Sequence, residues 1–358
     1  MRPLRLGLLF AIALFLTLST AGNARAQTTD DTDGRVDVVQ VNGLIDPANA
    51  ALIRQSIRDA ERDNATALVF QMDASGAVDV DMNALYQDFT NAKVPITVWV
   101  GPSGGGVRGA AALLARSADY AAVASGASIG AVDPIRYDDT NFKMDVPLKD
   151  VKAEAHTLLE FIGSLEQSPL KLSTMKVVEL DGKPTRQPKG EVHFHKLTLD
   201  AQLAHTLNSP WVAYFLFVVG LALIVFEFFT AGVGIAGAVG AIALLMGCFG
   251  FSHLPVQPWA IALLVLGVFG MAVDVQAGGL GAWTFIGGIA LVIGSIFLYG
   301  GSSRLDPKWW VLLVVIGGTV VFMLSGMTAM VRSRFSTPTI GREELIGELG
   351  QAAADVAP

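Results

Sequence analysis

The chain has 358 residues, 52% of them hydrophobic, with a mean hydropathy of +0.50 and a formal net charge of -7. That apolarity exceeds what a water-soluble protein of this length carries, so part of the chain belongs in lipid, and the acidic balance leaves no basic face for a nucleic-acid partner. The single cysteine, Cys248, excludes an intrachain disulfide and a multi-cysteine metal centre; it lies in an apolar run and is expected to be a packing residue.

Arg2 and Arg5 precede the apolar run LGLLFAIALFLTL, which ends in small residues at Ala24-Arg25-Ala26. This order of basic, apolar and A-x-A segments predicts a signal peptide over residues 1–26, so that the domain after it is extracytoplasmic. Residues 27–35 are polar and are expected to form a tether.

Short β-rich runs then alternate with helical spacing. Strands are predicted at 36–41 (VDVVQV), 67–72 (ALVFQM), 96–100 (ITVWV) and 119–123, with helices at 47–63, 79–92 and from Gly104 to Arg116 between them. Strands joined by helices of this length need right-handed crossovers, which gives a parallel sheet with helices on its faces over residues 36–205. A further amphipathic helix is expected at 151–166, and a small β appendage at 177–199 around Asp181-Gly182.

From 206 to 331 charge almost vanishes. Five apolar runs, at 211–226, 235–251, 259–273, 283–299 and 309–331, predict about five transmembrane helices and a multi-pass membrane protein in contact with lipid. Tryptophans 211, 259, 283, 309 and 310 stand at the ends of these runs, where an amphipathic ring favours the membrane interface. The spacing of Glu227, Gly232, Gly234 and Gly240 returns in Asp274, Gly279, Gly281 and Gly287. Intramembrane carboxylates suggest transport; at a helix boundary the same groups are caps, and that is the preferred reading.

The ordered segments VQVNGLI, DNATALVFQMDASGA, PITVWVGPSGGG and ASIGAVDPI, followed by the membrane region, resemble the long form of the NfeD family, membrane-anchored relatives of the ClpP class of serine peptidases. The resemblance implies an α/β ClpP/crotonase-like domain joined to a helical transmembrane bundle. It implies oxyanion-binding amides at Gly76 and Ala77, in the run Met72-Asp73-Ala74-Ser75-Gly76-Ala77, where the family usually has Leu-Asp-Thr-Pro-Gly-Gly. The family's nucleophilic serine, in an Ala-Ala-Ser-Ala-Gly run, falls on Gly109 of Val107-Arg108-Gly109-Ala110-Ala111, and the partner lysine falls on Lys149 or Lys152. Glycine has no oxygen with which to attack a carbonyl. Ser103, or Ser125 or Ser128, is the alternative nucleophile; serine in such positions ordinarily serves a turn or a helix cap.

The resemblance further implies a stomatin- or flotillin-like membrane partner, an extended apolar peptide as ligand, and homo-oligomerisation through the first domain. Three functions follow: a pseudopeptidase scaffold, which fits the residues best; an active Ser-Lys endopeptidase with a relocated serine; and a transporter using Glu227 and Asp274. No cofactor is expected. His193 and His195 share a strand face but lack further ligands at metal-binding spacing, and His156, His205 and His253 stand isolated in sequence. Residues 332–358, including the TIGREELIGELG run, resemble the opening of a small OB-like barrel cut short, expected on the cytoplasmic side.

Overall fold

The valines of β1 (Val36–Ile45) alternate between two apolar layers: Val36 and Val38 pack with Phe161 and Ile162, while Val39 and Val41 pack with Leu52 and Ile53. A strand buried on both faces is the mark of a parallel sheet covered by helices. The computed structural model describes residues 34–132, 149–180, 183–229, 234–277, 281–300 and 305–329; the expected leader, nearly all of the tether and the C-terminal tail fall outside them. Six strands lie in the order β10-β1-β2-β3-β5-β7, every pair parallel, with β2 at Ala67–Ala77, β3 at Ile96–Val100, β5 at Tyr120–Val123, β7 at Ala153–Glu154 and β10 at Val192–His195. Three helices connect them: α1 (Pro47–Arg62), α2 (Met82–Thr90) and α3 (Ala110–Ser117). Asp46 caps α1 by accepting the Asn49 N–H at 2.9 Å, and Pro47 opens the helix where its missing N–H costs nothing.

Three local expectations change. Helix α3 starts at Ala110 rather than Gly104, because the glycine segment forms a loop and a short strand, β4 (Gly106–Val107), paired with β6 (Ser128–Ile129). The predicted helix at 151–166 divides into β7, which pairs with β5, and α4 (Leu158–Ser164), whose start is fixed by Thr157 accepting the Glu160 N–H. The β appendage also divides. β8 (Met175–Leu180) and β9 (Lys183–Pro188) form an antiparallel hairpin, whereas β10 joins the main sheet beside β1.

After α5 (Leu199–Leu207) come α6 (Pro210–Phe229), α7 (Ile235–His253), α8 (Pro258–Ala277), α9 (Ala282–Ile296) and α10 (Trp309–Val321), the last continued by a π-helical turn at Phe322–Met327. Among the described residues four helices are long and apolar enough to cross a membrane, and the 15-residue α9 is a shorter apolar helix. The five tryptophans at the ends of the apolar runs sit, exposed, in the first two residues of a helix, whereas the sixth, Trp99, is buried in β3. Cys248 is exposed on α7 and packs into no core, a correction to its expected role: the apolar run around it faces outward.

The sequence echo is an echo in three dimensions. A Cβ added at Gly220 would stand 2.5 Å from Leu244 N, and one at Gly267 would stand 2.8 Å from Leu291 N. Gly240 meets Gly220 O as Gly287 meets Gly267 O, at 2.9 and 2.7 Å from the added carbon. These pairs are offset by the same 47 positions that separate Glu227 from Asp274, so α6–α7 and α8–α9 are two copies of one hairpin. Lipid offers no hydrophobic drive for helices to associate, and close backbone approach supplies dispersion contacts instead. Buried polar contacts join the copies: Tyr214 donates to Ser295 Oγ at 2.7 Å, and Tyr299 to Pro210 O at 2.6 Å.

A Cβ at Gly247 would meet Phe217 N at 2.6 Å, whereas one at Gly317 meets nothing within 4 Å. Gly247→Val is therefore expected to destabilise the detergent-solubilised protein by about 1–3 kcal/mol, the usual cost of overpacking, and Gly317→Val to leave its thermal midpoint nearly unchanged.

Candidate functional site

In an open parallel α/β sheet, functional groups gather beyond the carboxyl ends of the strands. Here the ends of β2 and β3 are stitched together by backbone. Gly101 N donates to Met72 O at 3.1 Å and Arg108 N to Ala74 O at 3.1 Å, while Asp73 Oδ1 accepts the Gly106 N–H at 2.9 Å. The following turn is tied in as well, with Gly130 N donating to Val107 O at 2.8 Å and Gly109 N to Ala131 O at 2.9 Å. Gly109 is thereby held one residue from a backbone contact with Ala74, close to the end of β2 that carries Gly76 and Ala77.

Two conformations matter here. Gly76 has φ +144°, open only to glycine, while Ala77 keeps a negative φ and a fully buried side chain, so alanine fits where a second glycine is usual. Gly109 has φ +57° and ψ -130° at the start of α3, the sharp left-handed bend on which hydrolases of strand–turn–helix design expose a nucleophile. In this chain that bend carries only hydrogen.

The candidate lysines lie apart from the bend. Lys149 Nζ donates to Ala118 O at 2.8 Å, at the C-terminal end of α3, about 12 Å along the helix from Gly109. Lys152 is exposed beside the edge strand β7. Ser103 and Ser125 are exposed in loops, and Ser128 is exposed on β6 opposite Gly106.

The membrane carboxylates are caps. Glu227 accepts the N–H groups of Gly234 and Gly237 at 3.0 and 3.1 Å. Asp274 Oδ2 accepts those of Gly281 and Thr284 at 3.0 and 2.6 Å, together with the Thr284 hydroxyl at 2.9 Å. Each satisfies the opening amides of the second helix in its hairpin, as an N-terminal cap does.

Three histidines gain partners that spacing did not reveal. His205 Nδ1 lies 3.1 Å from Asp46 Oδ2, at ion-pair distance without the alignment of a hydrogen bond. His253 Nδ1 lies 2.6 Å from Asp79 Oδ2, and His195 Nε2 lies 3.2 Å from Asp37 Oδ2. His193 is exposed, its ring edge-on to His195. Among the described residues no three His, Cys, Asp or Glu side chains gather as metal ligands. Asp46 and Asp79 lie beyond the ends of β1 and β2, and both their partners belong to helices of the membrane side; Leu44 and Val78 pack into the bundle's core. The strand ends that carry the site therefore face the membrane domain. No local signal in sequence could have announced this, since the pairs span 159 and 174 positions.

The fold and site define a membrane-embedded protein with a peptidase-like α/β domain. The model of the NfeD integral membrane domain matches residues 211–328, in agreement with the resemblance stated for the membrane region. The membrane-bound protease PH1510 of Pyrococcus horikoshii is 26% identical over 369 aligned positions, covering 90% of this chain and 84% of that protein. Membrane protein NfeD1b of Bacillus subtilis is 23% identical, covering 82% of this chain and 72% of that protein. Among solved structures, a mutant of the 1510-N membrane-bound stomatin-specific protease in complex with a substrate peptide is 18% identical, with a TM-score of 0.36 over 48% of this chain and 96% of that one. The 1510-N protease specific for a stomatin homologue from Pyrococcus horikoshii is 20% identical, with a TM-score of 0.35, covering 48% of this chain and 97% of that one. By descent this is a membrane protease-like protein.

Two stability predictions follow from the paired carboxylates. Burial by itself raises Asp37 and Asp46, but polar partners, His195 and Arg35 for the first and His205, Asn49 and Asn208 for the second, hold both below the usual 3.8. A lowered folded value means stability fully present above pH 3.8 and lost as pH falls through the lowered value. The thermal midpoint is expected to fall on acidification below about pH 4, and Asp37→Asn to flatten that acid limb; an unchanged limb would exclude Asp37 as a source. In the membrane, Asp274→Ala leaves two amides without their cap and is expected to cost about 1–2 kcal/mol of stability, with ion flux through proteoliposomes the same before and after.

Proposed function

We propose that this protein is a catalytically degenerate relative of the membrane-bound ClpP-class peptidases, which holds an extended apolar peptide of a stomatin- or flotillin-like membrane protein without cutting it. The observation that carries this reading is Gly109: the backbone keeps the strained bend of a nucleophile while the residue supplies no oxygen. Lys149 supports it, because its Nζ donates to Ala118 O at the far end of α3 and is held away from the bend, where it would have to stand to lower the cost of an alkoxide. The peptide-binding half rests on the relatives, one of which is described with a substrate peptide and as specific for stomatin, and on the sheet edges β10 and β7, to which an extended chain can add as a further strand. The leader-like N-terminus supports an extracytoplasmic site, and assembly of several copies would present several such sites to one partner.

A fluorophosphonate probe applied to the purified full chain is expected to label no serine in residues 36–205, and an adduct at Ser103, Ser125 or Ser128 would restore the endopeptidase reading. Gly109→Ser is expected to stay unlabelled as well, since Lys149 is bonded to Ala118 O at the other end of α3. Fluorescence anisotropy with apolar peptides from a stomatin-like protein should show saturable binding, and mass spectrometry should recover those peptides uncut.

A further inference from the structure

A cavity of about 180 Å³ opens where the ends of β1 and β2 meet the junction of α5 and α6, lined in part by Gly43, Asp46, Ser75, His205, Asn208 and Ser209. That volume equals about six waters. Among the described residues no lysine or arginine lines it, and it holds the Asp46 carboxylate, which is fully buried. Asn208 is 3% exposed; its Nδ2 donates to Asp46 Oδ2 at 2.9 Å, which fixes the orientation of the amide, and its Oδ1 is buried and accepts from nothing in the protein. A buried acceptor without a donor is expensive unless something else supplies one. The His205 ring faces the same carboxylate, its Nδ1 3.1 Å from Asp46 Oδ2, and its Nε2 lies 3.5 Å from where a Cβ of Gly43 would stand.

We propose that this cavity binds a primary ammonium group, and that its occupant is the aminoethyl headgroup of a membrane lipid. An ammonium brings three N–H donors and one positive charge. The cavity offers the Asn208 oxygen and the Ser75 and Ser209 hydroxyls as acceptors, beside the buried Asp46 carboxylate. A quaternary ammonium has no N–H to give and leaves Asn208 Oδ1 as it is. The location selects a lipid over a soluble amine: Ser209 and Pro210 open the first membrane helix, and Trp211 beside them is 52% exposed, as an interfacial ring is. The headgroup of a lipid packed against α6 arrives at this level. The lipid site stands apart from peptide binding, and either can fail without the other.

The test uses the full chain in detergent, with phosphatidylethanolamine and phosphatidylcholine of identical acyl chains, read by lipid retention in native mass spectrometry and by thermal shift. Retention of the ethanolamine lipid is expected to exceed that of the choline lipid by about tenfold, with millimolar free ethanolamine competing. Asn208→Leu, which deletes the free acceptor, is expected to abolish the preference. His205→Lys, which places a tethered ammonium in the cavity, should do the same and serves if the first variant does not fold. Equal retention of the two lipids, a preference that survives His205→Lys, or no competition by ethanolamine would each overturn the proposal. Displacement of the lipid by a lysine-bearing peptide that itself binds more tightly would overturn it in favour of a protein ligand.

Discussion

One buried carboxylate, Asp46, ties together regions that live in different solvents. On one side it caps α1, the first helix of the sheet domain; on the other it takes Asn208 Nδ2 at 2.9 Å and faces His205 at 3.1 Å, just before the first membrane helix. A charge removed from water is tolerable only when donors surround it. The two hydrogen-bond donors, Asn49 N and Asn208 Nδ2, come from two domains, so the cost of burying Asp46 is offset only while the domains stay docked. Asp79 and His253 repeat the arrangement one strand further along. The consequence is directional: the strand ends that carry Gly76, Ala77 and the Gly109 bend look toward the membrane helices.

Within the membrane the governing constraint is different. Water cannot satisfy an exposed amide there, and apolar side chains gain nothing from choosing protein over lipid. The bundle answers with glycines that let backbones meet and with carboxylates that cap the second helix of each hairpin, and it does so twice with the same spacing. The acidic residues that would draw attention as ion ligands are thereby engaged with backbone amides.

The candidate site shows how backbone geometry can be held without help from a particular side chain. Gly101, Gly106 and Arg108 remain bonded to β2, and the bend at Gly109 keeps its left-handed geometry. With a serine at that bend the strain would be a cost of catalysis. With glycine the same geometry costs little, so nothing in stability selects for the oxygen.

The parallel sheet and the apolar helices of the membrane region were legible in the sequence. Hydrophobic period, charge density and short ordered motifs are local quantities, and each of these features is decided locally. The sequence also marked Glu227 and Asp274 as equivalent, because a repeat is visible as spacing. It did not show that Thr157 would cut a predicted helix short in favour of an edge strand, that β10 would leave its hairpin for the main sheet, or that Lys149 would turn to Ala118 O. Nor did it reveal that His205 and His253, isolated in the chain, are the partners of Asp46 and Asp79. Those outcomes depend on which distant segment comes to lie within about 3 Å of a polar atom, and only closure of the sheet on its helices, and docking of the sheet on the bundle, decides that.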